Sequence, residues 1–561
     1  MKNLSLNRKS KVLIILLGYL FIAGIMYLTF QSKSIWYGDD VYYQFQRIQG
    51  ISKSLKEGLL PSISTINFGE IGYAVNIFYP WITLLPFGIV SLFNGNPISA
   101  FYMALFIYFL ASLLISHYSM YEFSGSHLQA LIFTLIYNFS TYRLIDLLSR
   151  AALAEYIATI FLPLCFLGFY ETFFRNYHKW YLFALGFGAI ILTHVLTTFM
   201  TMLIFIVFLL FNFMKIKPFK EHTTALIKAV VTTILITSIY TGPFILEELF
   251  QKFPKPDPQI LKGLELTKFL KVTMQSNASR FVEGNLYNPG LIVLVILIVG
   301  AIYFVKFNSL NKKIYLMGLA LFLISTNLFP WNVLQNTPIS VIQYPYRLLI
   351  FATLFAAVSG SLMITELVRQ RDIKIQWGVA ALCGILMMGI WFCSFKSATN
   401  HTMISDPHGV IDTAMINEDR IPDSYLNQYV PKETLNYLSS VIEHQMYIND
   451  KVVKAVPHDN RDTAVLKINK LQKGDDINLP IIRYRLTRVS VNGRPVPFWT
   501  STRGTIEFKA KQSSRNNRIV VSYGSSKLYA GLICLTILGF LIIAGDVFLQ
   551  KRLKLIEELS I

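Results

Sequence analysis

The sequence predicts a polytopic α-helical membrane protein with a mainly β region near its C-terminus. Of the 561 residues, 53% are hydrophobic and only 15% are charged, whereas soluble proteins carry about 25% charged residues. Apolar runs of about 20 residues, long enough to cross the hydrocarbon layer, recur along the chain. One long stretch before the last run instead alternates apolar and polar residues, as strands do. With only 4 cysteines, a disulfide-stapled chain is also excluded.

We count thirteen apolar segments and therefore expect about 12–14 spans, in the manner of a large helical membrane domain. The first, Val12–Phe30, follows several basic residues and is longer than the core of a signal peptide, so we interpret it as a retained helix with a cytoplasmic N-terminus. The other segments cover residues 78–93, 98–116, 127–140, 151–173, 180–194, 197–214, 225–245, 288–305, 313–328, 346–365, 375–395 and 528–549.

The net charge of +19 indicates membrane topology rather than nucleic-acid binding, because most Lys and Arg lie in short gaps between apolar runs. Alternation between the basic gaps places the loops 140–150, 246–287 and 329–345 outside, together with 396–527. The basic N-terminus places 31–77 outside as well, although counting back from Arg175 through every segment would place it inside. One segment between 78 and 173 must then be split or fail to cross, and 127–140 is the weakest. The gaps expected in the cytoplasm are Arg175–Lys179, Lys215–Lys220, Lys306–Lys313, Arg369–Lys374 and Lys551–Lys554.

This pattern divides the chain into three parts. Residues 1–395 form a multi-span membrane domain with an outer acidic loop at 31–77, residues 396–527 form an extracytoplasmic β-rich domain, and residues 528–561 hold the final span and a basic cytoplasmic tail. Within the second part, Asn492-Gly493 between alternating runs is a strong hairpin signal. A helix is expected near Lys432–His444.

Two adjacent carboxylates, Asp39 and Asp40, follow the first span by about ten residues and lie among aromatic side chains. At the outer membrane surface, desolvation and like-charge proximity raise the pKa of a carboxyl group, which suits a general base. The alternative interpretation is a solvated pair that caps a helix beginning near Val41. The local sequence leaves both interpretations open.

Short motifs occur in a recognisable order along the chain. A Gly-Asp-Asp loop after the first helix precedes an amphipathic stretch that contains Arg47. The later motifs are Phe78-Tyr79-Pro80, Ser149-Arg150-Ala151-Ala152-Leu153-Ala154-Glu155, Thr193-His194-Val195-Leu196 and Gln343-Tyr344-Pro345-Tyr346-Arg347.

This order resembles the bacterial membrane family labelled pyruvoyl-tetrahydropterin-synthase-related, which is similar to the GT-C glycosyltransferases, polytopic enzymes that use lipid-phosphate-linked sugars. The resemblance covers most of the chain and departs from the family at Gln44, where a histidine is expected. It implies transfer of a sugar from a polyprenyl-phosphate carrier to a cell-surface glycan, on the outer face of a bacterial cytoplasmic membrane. Asp39 or Asp40 would act as the general base.

Such a transfer needs cations beside the departing lipid phosphate. Each candidate also has a structural alternative: Arg150 and Glu155, for example, are five residues apart and do not stack on a continuous helix, and a lone His194 at a helical turn is more often structural. The substrate-binding candidates are Arg47, Arg143, Arg150, Glu155, His194, Arg280 and Arg347. The acid pair alone does not decide whether a divalent cation takes part.

Two other functions stay open. A transporter or flippase for a lipid-linked glycan is expected to carry charged residues deep within several spans and often internal repeats, but apart from Glu155 the spans show few such charges and no repeat. A non-catalytic cell-envelope assembly protein would not depend on the two aspartates. The expected partners are the lipid-linked donor, a surface glycan and membrane lipid, and not nucleic acid.

Overall fold

The computed structural model is mostly helical and carries two β-sheets near the C-terminus. It describes residues 8–559 apart from 37, 213, 215, 255–258, 280–286, 406–409, 419, 460–462 and 525. The helices are α1 (Arg8–Phe30), α2 (Val41–Lys56), α3 (Val75–Phe78), α4 (Leu85–Phe93), α5 (Pro97–Ser124), α6 (His127–Asn138), α7 (Thr141–Leu144), α8 (Leu153–Tyr170), α9 (Trp180–Ile191), α10 (Val195–Asn212), α11 (Phe219–Phe250), α12 (Leu266–Met274), α13 (Leu291–Tyr303), α14 (Ser309–Ile324), α15 (Leu349–Val368), α16 (Ile373–Ser405), α17 (Thr413–Asn417), α18 (Lys432–Leu435), α19 (Leu438–Ile442) and α20 (Ser526–Leu559).

Within the described residues, eight helices are long and apolar enough to cross a membrane, and a bent pair, His127–Asn138 with Thr141–Ser149, would make a ninth. The multi-span class is therefore confirmed, whereas a count of 12–14 long spans is too high. Five of the thirteen apolar segments form helices of only 9 to 16 residues, namely α4, α6, α9, α13 and α14. Hydropathy detects such segments without showing how long each helix runs.

Among the apolar segments between residues 78 and 173, the segment 78–93 forms only a short helix and does not reach the length of a span. After Pro80 the chain makes one tight turn, Ile82–Leu84, and α4 then begins with Pro86 in its first turn. Proline cannot donate a backbone hydrogen bond, so an interior proline interrupts a helix and is tolerated at its start. α4 packs along the amphipathic α2, where Ser91 donates a hydrogen bond to Ser52 at 2.8 Å. The segment 127–140, expected to be the weakest, is part of a split pair, since His127–Asn138 and Thr141–Ser149 are bent by 48° at the break between them.

The helices bring the connecting segments together at two ends. The loops 31–77, 140–150, 246–287 and 329–345 and the segment 396–527 meet at one end, which we call the sheet end. The contacts that join them are Ile35 with Ile411, Asp40 with Arg150, Ser149 with Ala278, and Leu261 with Gln335. Basic connectors lie at the opposite end, the basic end, where Lys179 pairs with Glu122 at 2.6 Å and Gln550 donates to the carbonyl of His178.

Two antiparallel five-stranded sheets pack face to face. The first has the order β2-β1-β5-β9-β8 and the second β3-β4-β10-β6-β7. Buried apolar side chains such as Leu479 and Phe508 of the first sheet meet Leu466 and Ile519 of the second. The strands are β1 (Gln445–Ile448), β2 (Lys451–Lys454), β3 (His458–Asp459), β4 (Thr463–Leu471), β5 (Asp476–Ile482), β6 (Arg488–Val491), β7 (Arg494–Pro495), β8 (Trp499–Thr500), β9 (Thr505–Lys509) and β10 (Ser514–Ser522).

The predicted hairpin is present between β6 and β7. Asn492 and Gly493 form its turn with φ of 50° and 79°, the backbone that two-residue hairpins require. The helix expected near Lys432–His444 is instead two short helices, α18 and α19. The first sheet rests on the loop that follows α2, since the N–H of Ile482 donates to the carbonyl of Ile71 at 2.9 Å.

Candidate functional site

Two backbone hydrogen bonds dock the acid pair beside Arg150. The N–H of Asp39 donates to the carbonyl of Ser149 at 3.4 Å, and the N–H of Asp40 donates to the carbonyl of Arg150 at 2.9 Å. Gly38 permits this approach, because a Cβ there would lie 2.6 Å from both the Ala151 Cβ and the Leu148 carbonyl oxygen. The loop after the first span and the loop after the bent pair therefore form one unit.

We expect Gly38→Ala to lower the free energy of unfolding by about 1–3 kcal/mol, because the backbone of the partner loop must shift to accept the new methyl group. Thermal unfolding of the purified chain in detergent measures this. Gly95→Ala is the matched control, since no atom lies within 4 Å of a Cβ placed there. Equal stability of the two variants would show that the docked loops do not need this close approach.

Asp40 is not a side-chain cap of α2. The helix begins at Val41, yet the side chain of Asp40 makes no capping hydrogen bond. Its Oδ1 accepts a hydrogen bond from the Tyr425 hydroxyl at 2.9 Å instead. Burial raises the pKa of Asp40 above its usual range, and the positive charge of Arg150 partly offsets this effect. Capping therefore does not account for this side chain, which remains able to act as a base.

Four buried charges lie next to the acid pair and balance one another. Arg150 Nη1 lies 2.5 Å from Asp146 Oδ1 and 3.0 Å from Glu155 Oε2, and Arg347 Nε lies 3.6 Å from the same Glu155 oxygen. Buried charges need such partners because removal of one leaves another uncompensated in a medium of low dielectric constant. We call these four residues the charge cluster.

A break in the helix brings Arg150 and Glu155 together. A π-helical turn, Ile145–Ser149, ends the bent pair, and α8 begins only at Leu153. Ala151 between them has a φ of +50°, so the chain turns sharply and Arg150 folds back onto Glu155. The sequence argument that five residues keep the two side chains apart holds only for a continuous helix, and the helix is not continuous here.

An aromatic pair covers Arg150. The rings of Tyr287 and Tyr346 stack with their centroids 3.5 Å apart. The Arg150 guanidinium carbon lies 5.9 Å and 5.4 Å from these two centroids, within the range of a cation–π interaction. Arg150 is thus held by two carboxylates and two tyrosines.

Arg47 and Arg143 do not line the cavity that contains the acid pair. Arg47 is 1% exposed and donates to the carbonyls of Tyr79 and Pro80 at 3.0 and 2.8 Å, so it fixes the turn before α4. Arg143 donates from all of its nitrogens to side-chain oxygens, those of Thr159, Asn138 and Ser112. Both contacts are structural. Arg280 lies outside the described residues.

His194 lies in the turn between α9 and α10 and does line the cavity. Its Nδ1 lies 2.7 Å from Thr197 Oγ1 and 3.4 Å from the backbone nitrogen of Thr197. These contacts fix the orientation of the imidazole ring at the cavity.

A cavity of about 1290 Å³ opens at the sheet end and unites these residues. The acid pair, Arg150, His194 and Arg347 line it, and so do apolar side chains near the start of α10 and the end of α11. These apolar residues are Val195, Leu196, Phe199, Phe244 and Phe253. The lining therefore offers both charged and apolar contacts to a ligand.

Comparison with known proteins shows the family to which this chain belongs. A family model described as "6-pyruvoyl-tetrahydropterin synthase related domain; membrane protein" matches residues 77–400, more than half of the chain. The chain belongs to this family. An uncharacterized protein of Lactococcus lactis subsp. cremoris (strain MG1363) is 24% identical over 339 residues, which cover 56% of this chain and 53% of the relative. The chain thus spans about half the length of this curated relative.

The family match contains only part of the cavity. Arg150, Glu155, His194 and Arg347 lie within it, whereas the acid pair precedes it and Tyr425 follows it. Among the residues that the structure describes, no three His, Cys, Asp or Glu are grouped as metal ligands.

Sequence reasoning missed two polar partners at this site. Asp146 precedes Arg150 by four residues, a spacing that is typical of helical ion pairs and was available as a signal. Tyr425 had no such signal, because it lies in an irregular stretch 385 residues from the carboxylate that it contacts.

Proposed function

We propose that this family member is a membrane glycosyltransferase that moves a sugar from a polyprenyl-phosphate carrier to a glycan acceptor at the sheet end. The observation that carries the proposal is the mixed lining of the cavity, in which carboxylates and arginines occur together with apolar side chains. A lipid phosphate has matching parts, an anionic head and an apolar tail. Val195, one of these apolar residues, is 44% exposed and would be available to a lipid tail.

The proposed reaction forms one bond and breaks one. The acceptor hydroxyl oxygen bonds to the anomeric carbon of the sugar, the bond from that carbon to the phosphate oxygen breaks, and the hydroxyl proton passes to the carboxylate of Asp40. The lipid phosphate leaves with the electron pair of the broken bond. Arg150 and Arg347 would stabilise its charge, since guanidinium groups bind phosphate oxygens with paired donors.

Arg347 lines the cavity, and contacts within the protein hold its guanidinium there. Its Nη1 donates to the carbonyl of Ile342 and to Gln343 Oε1, and its buried Nε lies 3.6 Å from Glu155. These contacts would keep the guanidinium in place for a phosphate.

We further propose that the sheet end faces the outside of a bacterial cytoplasmic membrane. The support is the collection of Lys and Arg at the basic end, which the positive-inside rule places in the cytoplasm. The acceptor would then be a surface glycan. A divalent cation at the acid pair remains compatible with the proposal.

Tyr425→Phe tests the positioning of Asp40. The Tyr425 hydroxyl donates to Asp40 and lowers the pKa of that carboxyl, so its removal should raise this pKa further. The base form then appears only at higher pH. We expect the ascending limb of the pH–rate profile to move up by about 0.5–1 pH unit, given about 1.4 kcal/mol per unit. An unchanged limb would show that this hydrogen bond does not act on the base.

The proposed function is tested by offering the purified chain in nanodiscs a panel of polyprenyl-phosphate sugars with extracted surface polymer and counting the sugar transferred. Transfer that depends on Asp40 supports the enzyme. Binding of donor without transfer to any acceptor, together with movement of labelled donor across proteoliposomes, would establish a flippase instead. If neither occurs and Asp39→Asn/Asp40→Asn supports normal growth in cells, the assembly role is correct.

A further inference from the structure

The second sheet presents a face that is strongly basic. Its strands β4, β6, β7 and β10 carry six Lys or Arg residues, two each on β4 and β10 and one each on β6 and β7, and no Asp or Glu. The six cations are Lys467, Lys470, Arg488, Arg494, Arg515 and Arg518, and all are exposed. We call the side of the sheet that carries Lys467, Arg488 and Arg518 the basic face, since each of them is next to a residue buried between the sheets.

Like charges lie directly opposite each other on neighbouring strands. Arg518 of β10 pairs in register with Lys467 of β4, and Arg515 pairs with Lys470. Such cross-strand pairs are destabilising. In the described part of the chain, no ion pair joins any of these four cations to a carboxylate. The sheet therefore maintains a concentration of positive charge at some cost in stability, and an anionic partner would remove that cost.

The basic face points away from the rest of the protein. The inner side of the second sheet is buried against the first sheet, through Leu466 and Ile519 among others, and the first sheet is the one that rests on the loop after α2. Lys467 and Arg518 follow or precede these buried residues directly, so they lie on the outer side.

The cations of the basic face extend along their strands away from the last helix. β10 ends at Ser522, and α20, a candidate span, begins at Ser526. Arg488 lies opposite Ser522, whereas Arg518 and its partner Lys467 lie four residues farther along, about 13 Å at about 3.3 Å per residue. A row of cations that leads away from the candidate span favours a long polymer over a flat lipid surface.

We propose that the basic face binds a linear anionic polymer, whose repeated phosphate or carboxylate groups neutralise the paired cations. Several weak charge contacts along one chain add up through multivalency. The binding is electrostatic and therefore weakens as salt rises. It does not require that the cavity transfer sugar, and the surface shares no residue with the cavity.

The test uses the full chain in phosphatidylcholine nanodiscs with fluorescent long-chain polyphosphate, polygalacturonate and neutral dextran as probes. We expect the two anionic polymers to bind, dextran not to bind, and affinity to fall steeply between about 50 and 200 mM salt. Lys467→Gln/Arg518→Gln should weaken polymer binding about tenfold and reduce the salt slope by about 2. The relative affinities of the two polymers identify phosphate or carboxylate as the preferred group.

The matched control is Lys451→Gln/Lys454→Gln on the exposed edge strand β2, which removes the same charge from the first sheet. We expect this pair to change the affinity less than twofold. Equal losses in both variants would mean that net charge alone attracts the polymer, and the proposal would be overturned. Tighter binding to phosphatidylglycerol vesicles than to either polymer, lost in Lys467→Gln/Arg518→Gln, would instead assign the basic face to the membrane. Thermal unfolding should show both variants folded.

Discussion

Asp40→Asn is expected to lower the rate of sugar transfer by about 10² to 10⁴-fold, the range that a positioned general base contributes. An amide cannot accept the acceptor's proton, yet it keeps the size of the carboxylate and can still contact the Tyr425 hydroxyl. Donor binding should therefore persist while transfer is lost. Initial rates and donor affinity of purified protein in nanodiscs measure the two quantities separately.

Substitutions of two other carboxylates, Asp39 and Asp372, serve as comparisons for Asp40→Asn. Asp39 is exposed at the cavity, so Asp39→Asn should reduce transfer less than Asp40→Asn. The reverse order would make Asp39 the base. Asp372→Asn, an exposed carboxylate at the basic end, is the control for loss of one negative charge and should transfer at the normal rate.

The pH dependence of the transfer rate of the wild-type protein is a second test of Asp40 as the base. Because burial raises the pKa of Asp40, the carboxylate form is lost as pH falls through a value above the usual range of about 3.9. Transfer should therefore rise with pH along a limb displaced upward from that range. A rate that is constant down to pH values near 4 would exclude a buried aspartate as the base.

Arg150→Met is expected to lower the free energy of unfolding by about 3–5 kcal/mol, the effect of removing one partner from a buried ion cluster. Asp146 loses its 2.5 Å contact with Arg150, and Glu155 keeps Arg347 at 3.6 Å and the Tyr142 hydroxyl at 3.5 Å. The stacked tyrosine pair also loses the guanidinium beside it. Thermal or denaturant unfolding in detergent measures the effect, and donor binding should fall as well.

A second substitution separates charge from packing. Asp146→Asn in the Arg150→Met background removes one of the uncompensated carboxylates, so it should recover part of the stability if unpaired charge is the cause. If the second substitution recovers no stability, the missing side-chain volume of Arg150 accounts for the loss. Arg371→Met at the basic end, where Arg371 is exposed, is the matched control and should unfold like the wild type.

Hydropathy and charge predicted the class of this protein because both act over long stretches of sequence. The apolar segments, the grouping of loops at one end and the Asn492-Gly493 hairpin all follow from local patterns. The failure at 78–93 had a visible cause, since Pro80 and Pro86 interrupt an otherwise apolar run. The two prolines therefore decide the structure of this segment, and its apolar length does not.

Residues of the candidate site could be predicted from the sequence only where a single residue is conspicuous in its own stretch of the chain. The acid pair is conspicuous beside a membrane span, and Arg150 and Arg347 stand out near apolar runs. Arg143 looked equivalent, but buried side-chain oxygens take up its donors. The contact between Arg150 and Glu155 depends on the backbone break at Ala151, and hydrophobic periodicity does not report such a break.

The hydrogen bond between Tyr425 and Asp40 also has a consequence for biogenesis. The two residues are separated by 385 positions, so at 5–20 residues per second a ribosome needs about 20 to 80 s to supply the second after the first. During that interval the nascent chain holds Asp40 without its hydroxyl donor. The hydrogen-bonded arrangement around Asp40 therefore arises only late in synthesis, and a ribosome-stalled chain that ends before Tyr425 would insert its helices yet lack this arrangement.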